Sequence, residues 1–548
     1  MEPRAAEFDV VVAGSGAAGL TAALTAADLG LSVLVIEKAG RFGGSTARSG
    51  GGIWAPGNTV LRRARIADTP EQARAYLAYV AEGVPAARRE ALLEHGPDML
   101  ALVLAKTPLR FAWVPGYADY YPEAPGGLAA GRSIEPVPLD GRRVLGEELA
   151  HLARPYLPSP VAITQAEYRW LSLGRHPRGI RAGLRVAGRA ARARLLGQRM
   201  LSLGQALAAG LRAGLTTAGV PVWLDTPLAG LEVEGGRVTG VRVGREPALI
   251  RARRGVLIAT GGFERDEQMR RRYQRPPVGI EWTTGAPGNT GDGIRAGLDL
   301  GAEVGLMDDA WWGPSIPLPG GPYFCLAERS LPGCILVNGA GQRFVNESAP
   351  YVDAVHAMYD GDTPENPHIP AWLVFDQRYR DRYVFAGRPP GRPLPRRWSA
   401  AGAVVRADDL AGLAQAAGVD ADGLVKTVAR FNEFATAGRD EDFGRGDSAY
   451  DRYYGDPRLA NPNLAPLARP PFYALKIVPG DLGTKGGLRT DERARVLRPD
   501  GTVIEGLFAA GNASAAVMGH SYAGAGATIG PAMTFGYIAA RTMAEGGA

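Results

Sequence analysis

Phe8-Asp9-Val10-Val11-Val12-Ala13-Gly14-Ser15-Gly16-Ala17-Ala18-Gly19 is the stretch on which the fold turns. A short unbroken apolar run reads as a strand buried on both faces, the kind found inside a parallel sheet. The glycine turn opens an Ala/Leu-rich helix that runs to Gly30. A second apolar strand, 32–36, then ends at Glu37. Strand, glycine loop, helix, strand and terminal acid make up a dinucleotide-binding βαβ unit. Gly14 permits the tight turn, Gly16 lets the backbone approach a pyrophosphate, and Gly19 lets helix and strand pack closely. The helix start, with Ser15, Ala17 and Ala18, offers oriented N–H groups to the anion. Glu37, next to Lys38, reaches ribose hydroxyls.

The fingerprint alone does not separate NAD from FAD. Working outward, a second glycine-rich run follows almost at once: Gly43-Gly44-Ser45-Thr46, then Gly51-Gly52. A second run so near the ribose acid predicts backbone threading past a longer cofactor. A helical region is expected over about 70–106, and a hairpin turns at Glu234-Gly235-Gly236-Arg237. Another buried strand, from Arg254, ends in Thr260-Gly261-Gly262. Asn289 and Asp292 lie in GNTGDG, where Asp292 contacts the cofactor or simply caps a helix. A C-terminal strand ends at Gly511-Asn512, and Ala527-Thr528-Ile529 enter the last helix. That helix start would aim its positive end at a flavin's N1/O2 edge. The reading is therefore an α/β protein. Its Rossmann-like FAD-binding domain is formed by both chain ends (1–308 and 481–548), with a basic excursion at about 150–200. An α+β catalytic domain (309–480) is inserted between them.

The 548 residues, 46% hydrophobic and 22% charged, are of ordinary globular composition and exclude wholesale disorder. No apolar run approaches the ~18 residues of a spanning helix, and no signal-peptide pattern opens the chain. Two cysteines without a CxxC partner argue against a disulfide scaffold or Cys-based zinc site and for a reducing cytoplasm. The remaining histidines show no metal-ligand spacing, so no metal is expected. Net charge is +6, and arginines crowd 169–199 with no Asp or Glu between Tyr168 and Leu224. That segment is either a solvated excursion or a basic, apolar-flanked surface lying on anionic lipid at the inner membrane face. No nucleic-acid-binding module organises the charge.

The ordered set GSGAAG, EKAGRFGGST, ATGGFERD, RFVNESAPY, GDLGTKGGL, GLFAAGN and YAGAGATIGPAMTFGYIAA resembles the flavoprotein group of fumarate reductases and 3-ketosteroid dehydrogenases. Asp119-Tyr120-Tyr121, 346–351 and 518–522 make it most similar to the 3-ketosteroid Δ1-dehydrogenases. The resemblance implies noncovalent FAD, a 3-ketosteroid substrate and a quinone-type or other electron acceptor. It implies that Tyr522 and the Gly526 amide bind the C3 carbonyl oxygen, that Tyr351 takes the C2 proton, and that Tyr120 supports Tyr351. Tyr117 and Tyr121 lie close enough in sequence to compete with Tyr120 for that place. Family members often carry Pro where this chain has Ala523. No Arg lies between Gly506 and Ala540, unlike the fumarate reductases, which clamp a dicarboxylate with Arg and His. A Δ4-(5α)-ketosteroid dehydrogenase, a fumarate-reductase-like enoate reductase and a flavin-binding protein without turnover are the other readings. Trp311 and Trp312 either line the apolar pocket or are core, and His520 adjoins the active loop.

Overall fold

The computed structural model describes residues 6–156, 161–244 and 248–546. The strand Ala6–Ala13 is central, parallel to Val33–Ile36 on one side and to Ala248–Ile258 on the other. Val33–Ile36 pairs in parallel with Val222–Trp223, and Ala248–Ile258 with Val503–Ala509. Segments from both chain ends thus share one eight-stranded sheet. The stretches 10–13, 33–36 and 255–258 of its central strands are apolar and buried because both faces are covered there. Val10, Val12 and Leu257 pack with Leu20, Leu24 and Ile538 of the helices Ala17–Asp28 and Ile529–Glu545. Val11, Leu34 and Val256 pack on the opposite side with Phe263 and Ile294.

The hairpin forms at Glu234–Arg237, joining Leu228–Glu234 to Arg237–Val243. The strand expected from Arg254 begins earlier, at Ala248, because its first half pairs antiparallel with Arg237–Val243. The helical region over 70–106 is two helices, Pro70–Val80 and Ala86–Lys106. The break falls at Gly83 to Pro85, where proline lacks the N–H that a continuing helix needs.

A second, six-stranded sheet has Phe472–Thr484 as its spine, bonded antiparallel to Ala310–Ile316, Ala371–Asp376 and Val404–Ala407. We propose 309–480 as the inserted domain. The spine strand runs unbroken across residue 480 and ends at Thr484, before the chain rejoins the cofactor sheet at Arg495–Leu497 and Val503–Ala509. Asp481 at that crossing accepts from Arg270 Nη1 (2.7 Å) and Thr283 Oγ1 (2.6 Å), all buried. The basic excursion contributes the helices Gln165–Ser172 and Pro177–Leu195. Leu173 between them is buried with Trp312, Tyr379 and Tyr383 in the core of the second sheet. Cys325 and Cys334 are buried and unbonded to each other. No helix among the described residues is long and apolar enough to cross a membrane.

Candidate active site

The first glycine loop is built for close approach. Gly14 has φ +111°, and a Cβ there would lie 2.2 Å from the Ala259 carbonyl oxygen. Ser15 donates through N and Oγ to Glu37 Oε2 (3.1 and 2.6 Å), and Ala39 N–H donates to Glu37 Oε1 (2.9 Å). Glu37 is thereby fixed at the loop mouth. Ser15 Oγ also accepts from Gly43 N–H (3.1 Å), and Ala17 N–H donates to Thr46 Oγ1 (2.9 Å), so the two glycine-rich runs are tied together. Gly44 faces open space, and Gly51 and Gly52 lie against Leu203 and the Gln165 side chain respectively. Ser45 Oγ accepts from Ala286 N–H (2.9 Å) and Asn289 Nδ2 (3.0 Å).

Lys38 Nζ donates to Asp292 Oδ2 (2.5 Å) and Thr290 Oγ1 (2.6 Å). Asp292 is not a helix cap. Gly291 holds that position in the left-handed region, and Asp292 sits in the first turn, paired with Lys38 and Arg295. Gly261 and Gly262 pack against Asn289 and Thr484. Thr260 Oγ1 and Glu264 Oε2 nearby are buried and without a hydrogen-bond partner. Burial pushes Glu264 up to about 7. Asn512 Oδ1 accepts from Trp311 Nε1 (3.1 Å). Gly511 lies between Ala18 and Ala532, near the starts of the first and last helices. In neither helix does the N-cap residue's own side chain cap the first turn or an acid lie in it, although at the first helix Thr46 Oγ1 takes the Ala17 N–H. Uncapped N–H groups are the donors that a diphosphate and a reduced flavin ring require. With the ribose acid and the orphaned hydroxyl, these residues fit FAD.

Beside this cradle three phenols meet. Tyr351 opens the helix Tyr351–Gly361, Tyr120 lies on the loop before the strand Ser133–Pro136, and Tyr522 on the loop before the last helix. Their ring centroids are 5.1 to 5.5 Å apart, and all three side chains are buried. Tyr120 Oη donates to Tyr351 Oη at 3.1 Å. Burial pushes the Tyr351 hydroxyl well above the ordinary tyrosine range, while the Tyr120 hydrogen bond pulls it back. Tyr522 is also raised by burial and lies 2.9 Å from Thr528 Oγ1. Gly526 has φ +94°, and a Cβ there would strike the Gly52–Ile53 backbone at 2.5 Å. Among the described residues its N–H donates to no acceptor, whereas its carbonyl accepts from Trp54 N–H (3.2 Å).

Of the three neighbouring tyrosines, Tyr120 is the one bonded to Tyr351. Tyr121 Oη instead donates to Asp353 Oδ1 (2.8 Å), and Tyr117 stacks on Tyr453 at 4.2 Å. Trp311 meets Tyr522 edge to face at 4.8 Å, whereas Trp312 packs on Tyr359 in the second core. His520 Nδ1 lies 3.1 Å from Asp309 Oδ2. Buried Lys485 Nζ donates to the same carboxylate (3.0 Å) and to the His520 carbonyl (2.5 Å). No sequence signal singled out this Lys485–Asp309 anchor or the Thr528–Tyr522 contact.

The geometry places a cluster of three buried tyrosines beside a dinucleotide cradle. A family model described as FAD binding domain matches residues 9–529. The 3-oxosteroid 1-dehydrogenase of Mycobacterium tuberculosis is 57% identical, covering 98% of both chains. The 4-oxocyclohexanecarboxylate 2-dehydrogenase of Sinomonas cyclohexanicum is 40% identical over 98% of this chain and 93% of its own. The crystal structure of the 3-ketosteroid delta1-dehydrogenase from Sterolibacterium denitrificans, in complex with 1,4-androstadiene-3,17-dione, superposes with a TM-score of 0.93. It is 42% identical and covers 98% of this chain and 99% of its own. The chain belongs to the FAD binding domain family and, within it, to the family of the 3-oxosteroid 1-dehydrogenases.

Proposed function

We propose that this protein desaturates 3-ketosteroids between C1 and C2. Bound FAD supplies the acceptor for the hydrogen that leaves C1 as hydride. The protein's own residues handle the ketone and the C2 proton. Tyr522 Oη and the Gly526 N–H converge on the C3 carbonyl oxygen and stabilise the negative charge that develops there, which acidifies the α-hydrogens. We assign Thr528 Oγ1, 2.9 Å away, as the donor in its bond with Tyr522 Oη, which leaves the phenol proton free for the ketone. Tyr351, ionised and stabilised by the hydrogen bond that Tyr120 donates to it, takes the C2 proton and becomes a neutral phenol. The buried setting excludes water and strengthens each of these contacts.

The observation that carries this reading is the Tyr120–Tyr351 hydroxyl pair, 3.1 Å apart beside Tyr522. The test is aerobic turnover of the holoenzyme with androst-4-ene-3,17-dione and, in parallel, with the ring-A-saturated 5α-androstane-3,17-dione, each with a dye acceptor and NMR of the product. The 1,4-diene is expected, with 4-oxocyclohexanecarboxylate a poor substrate. An unchanged steroid, or a new double bond only at C4–C5 of a saturated ring A, would overturn it.

We also infer that the basic excursion rests on anionic lipid at the inner membrane face of a cytoplasmic enzyme. The helix Pro177–Leu195 buries Gly179, Ala182, Val186 and Ala193 against the body. Ile180 (55% exposed), Leu184 (69%) and Leu195 (86%) form a separate outward stripe at helical spacing. Arg181, Arg185 and Arg192 flank that stripe. An apolar stripe edged by arginines suits the headgroup boundary. That position favours a lipid-borne quinone as electron acceptor.

A further inference from the structure

Tyr76 lies on the helix Pro70–Val80, a segment to which the proposed chemistry assigns nothing. It is fully buried, with its ring beneath Trp54 (centroids 6.2 Å) and under the Arg132 guanidinium (5.4 Å). Its hydroxyl is used twice. It donates to the Ala523 carbonyl at 2.6 Å and accepts from Tyr121 N–H at 3.2 Å. The Ala523 carbonyl accepts a second hydrogen bond, from Tyr120 N–H at 3.1 Å. One phenol oxygen and one carbonyl therefore clasp the Tyr120–Tyr121 backbone to the residue after Tyr522.

The clasp joins the two halves of the site. On one side is the loop with Tyr522 and Gly526, the pair that receives the ketone oxygen. On the other is Tyr120, whose hydroxyl reaches Tyr351, and Tyr121, whose hydroxyl ties to Asp353 two residues further along the same helix. Tyr120 and Tyr522 both sit on loops, so the distance between these halves rests on contacts such as this clasp and the bonds from Trp54 to the Gly526 carbonyl (3.2 Å) and to Asp119 Oδ1 (3.0 Å). Ala523 lacks the ring that would fix its own φ. Reacting groups must be held to within a fraction of an ångström of the productive geometry, so such a link has catalytic consequences.

We propose that Tyr76 is a positioning residue whose hydroxyl, through the Ala523 carbonyl and the Tyr121 amide, sets the spacing between the ketone-binding pair Tyr522/Gly526 and the proton-abstracting pair Tyr351/Tyr120. This rests on the reading of those four groups given above. Tyr76 acts through its neighbours and need not touch substrate.

The test compares purified holoenzymes of wild type, Tyr76→Phe, Tyr522→Phe and the double variant with androst-4-ene-3,17-dione. Tyr76→Phe keeps the ring packed and removes only the oxygen. It should retain flavin and bind the steroid with little change in KM, while kcat falls on the order of 10-fold from misplacement. The kinetic isotope effect with C2-deuterated steroid should rise as proton removal becomes more limiting. In the Tyr522→Phe background, Tyr76→Phe should add little, because the spacing it sets no longer serves a donor. Wild-type kcat in Tyr76→Phe overturns the proposal while leaving the steroid reading intact, since Tyr522→Phe tests that reading by itself. Loss of flavin or an unfolded Tyr76→Phe also overturns it, because the hydroxyl would then support the fold at large. Multiplicative losses in the double variant do the same.

Discussion

The Tyr120 hydroxyl donates to the Tyr351 hydroxyl across 3.1 Å in a site closed to solvent. A phenol is a weak base until it loses its proton, and burial raises the pH at which Tyr351 does so. The donor from Tyr120 stabilises the ionised form and opposes that shift. The two effects set the pH at which the site works.

kcat/KM with a 3-ketosteroid should therefore climb with pH through the alkaline range, because the reactive form of Tyr351 is the deprotonated one and its folded value is raised. Steady-state rates from pH 6 to 10 check this; a flat or falling profile contradicts it. Tyr120→Phe should move the rising limb to still higher pH and lower the neutral-pH rate about 10- to 100-fold, the scale of a hydrogen bond to a charged group.

Tyr522→Phe removes one donor to the developing oxyanion and should cost on the order of 10²-fold in kcat. Thr528→Val should give a smaller loss, since it leaves the Tyr522 hydroxyl in place without its 2.9 Å partner. Stopped-flow flavin bleaching measures both. Wild-type rates in Tyr522→Phe would remove its assigned role.

Glu264 is fully buried, with one carboxylate oxygen unpartnered and its proton held up to about 7. In the unfolded chain it ionises near pH 4.3. The folded state thus holds the proton where the unfolded chain has released it. The stabilisation is present below the unfolded value and is lost as pH rises towards 7. Glu264→Gln should be free of that loss, so its stability relative to wild type should improve between pH 4.5 and 7 by up to roughly 3 kcal/mol. Denaturation midpoints across that range test the direction; equal pH dependence in the two proteins contradicts it.

Replacing Leu184 and Leu195 together with Asp should abolish co-sedimentation with phosphatidylserine vesicles and leave turnover of soluble steroid unchanged, because both side chains point away from the body. Undiminished pelleting would end the lipid assignment.

Much of this was legible in the sequence, for physical reasons. The strand at 8–13, the glycine loop and Glu37 form a local pattern whose geometry is set within thirty or so residues. The break between Val80 and Ala86 is carried by Gly83 and Pro85, a local signal that a reading of 70–106 as one helical region passes over. Trp311 and Trp312 are adjacent on the strand Ala310–Ile316, so their side chains take opposite faces. The sequence did not tell which of them faces Tyr522. The Tyr76–Ala523 bond joins positions 447 apart, and the Lys485–Asp309 bond positions 176 apart. Neither spacing carries a periodic signal. The tyrosines of the site stood out by family resemblance, while the groups that hold them stood out only once the chain was folded.

The central claim is that Tyr351, supported by Tyr120, removes the proton beside a carbonyl held by Tyr522 and Gly526. Its most direct test is single-turnover stopped flow of anaerobic holoenzyme with androst-4-ene-3,17-dione, wild type against Tyr351→Phe. Rapid flavin bleaching in the wild type and a rate lower by on the order of 10²-fold or more in the variant, with steroid binding retained, is the predicted result. Equal bleaching rates in the two proteins would contradict the account.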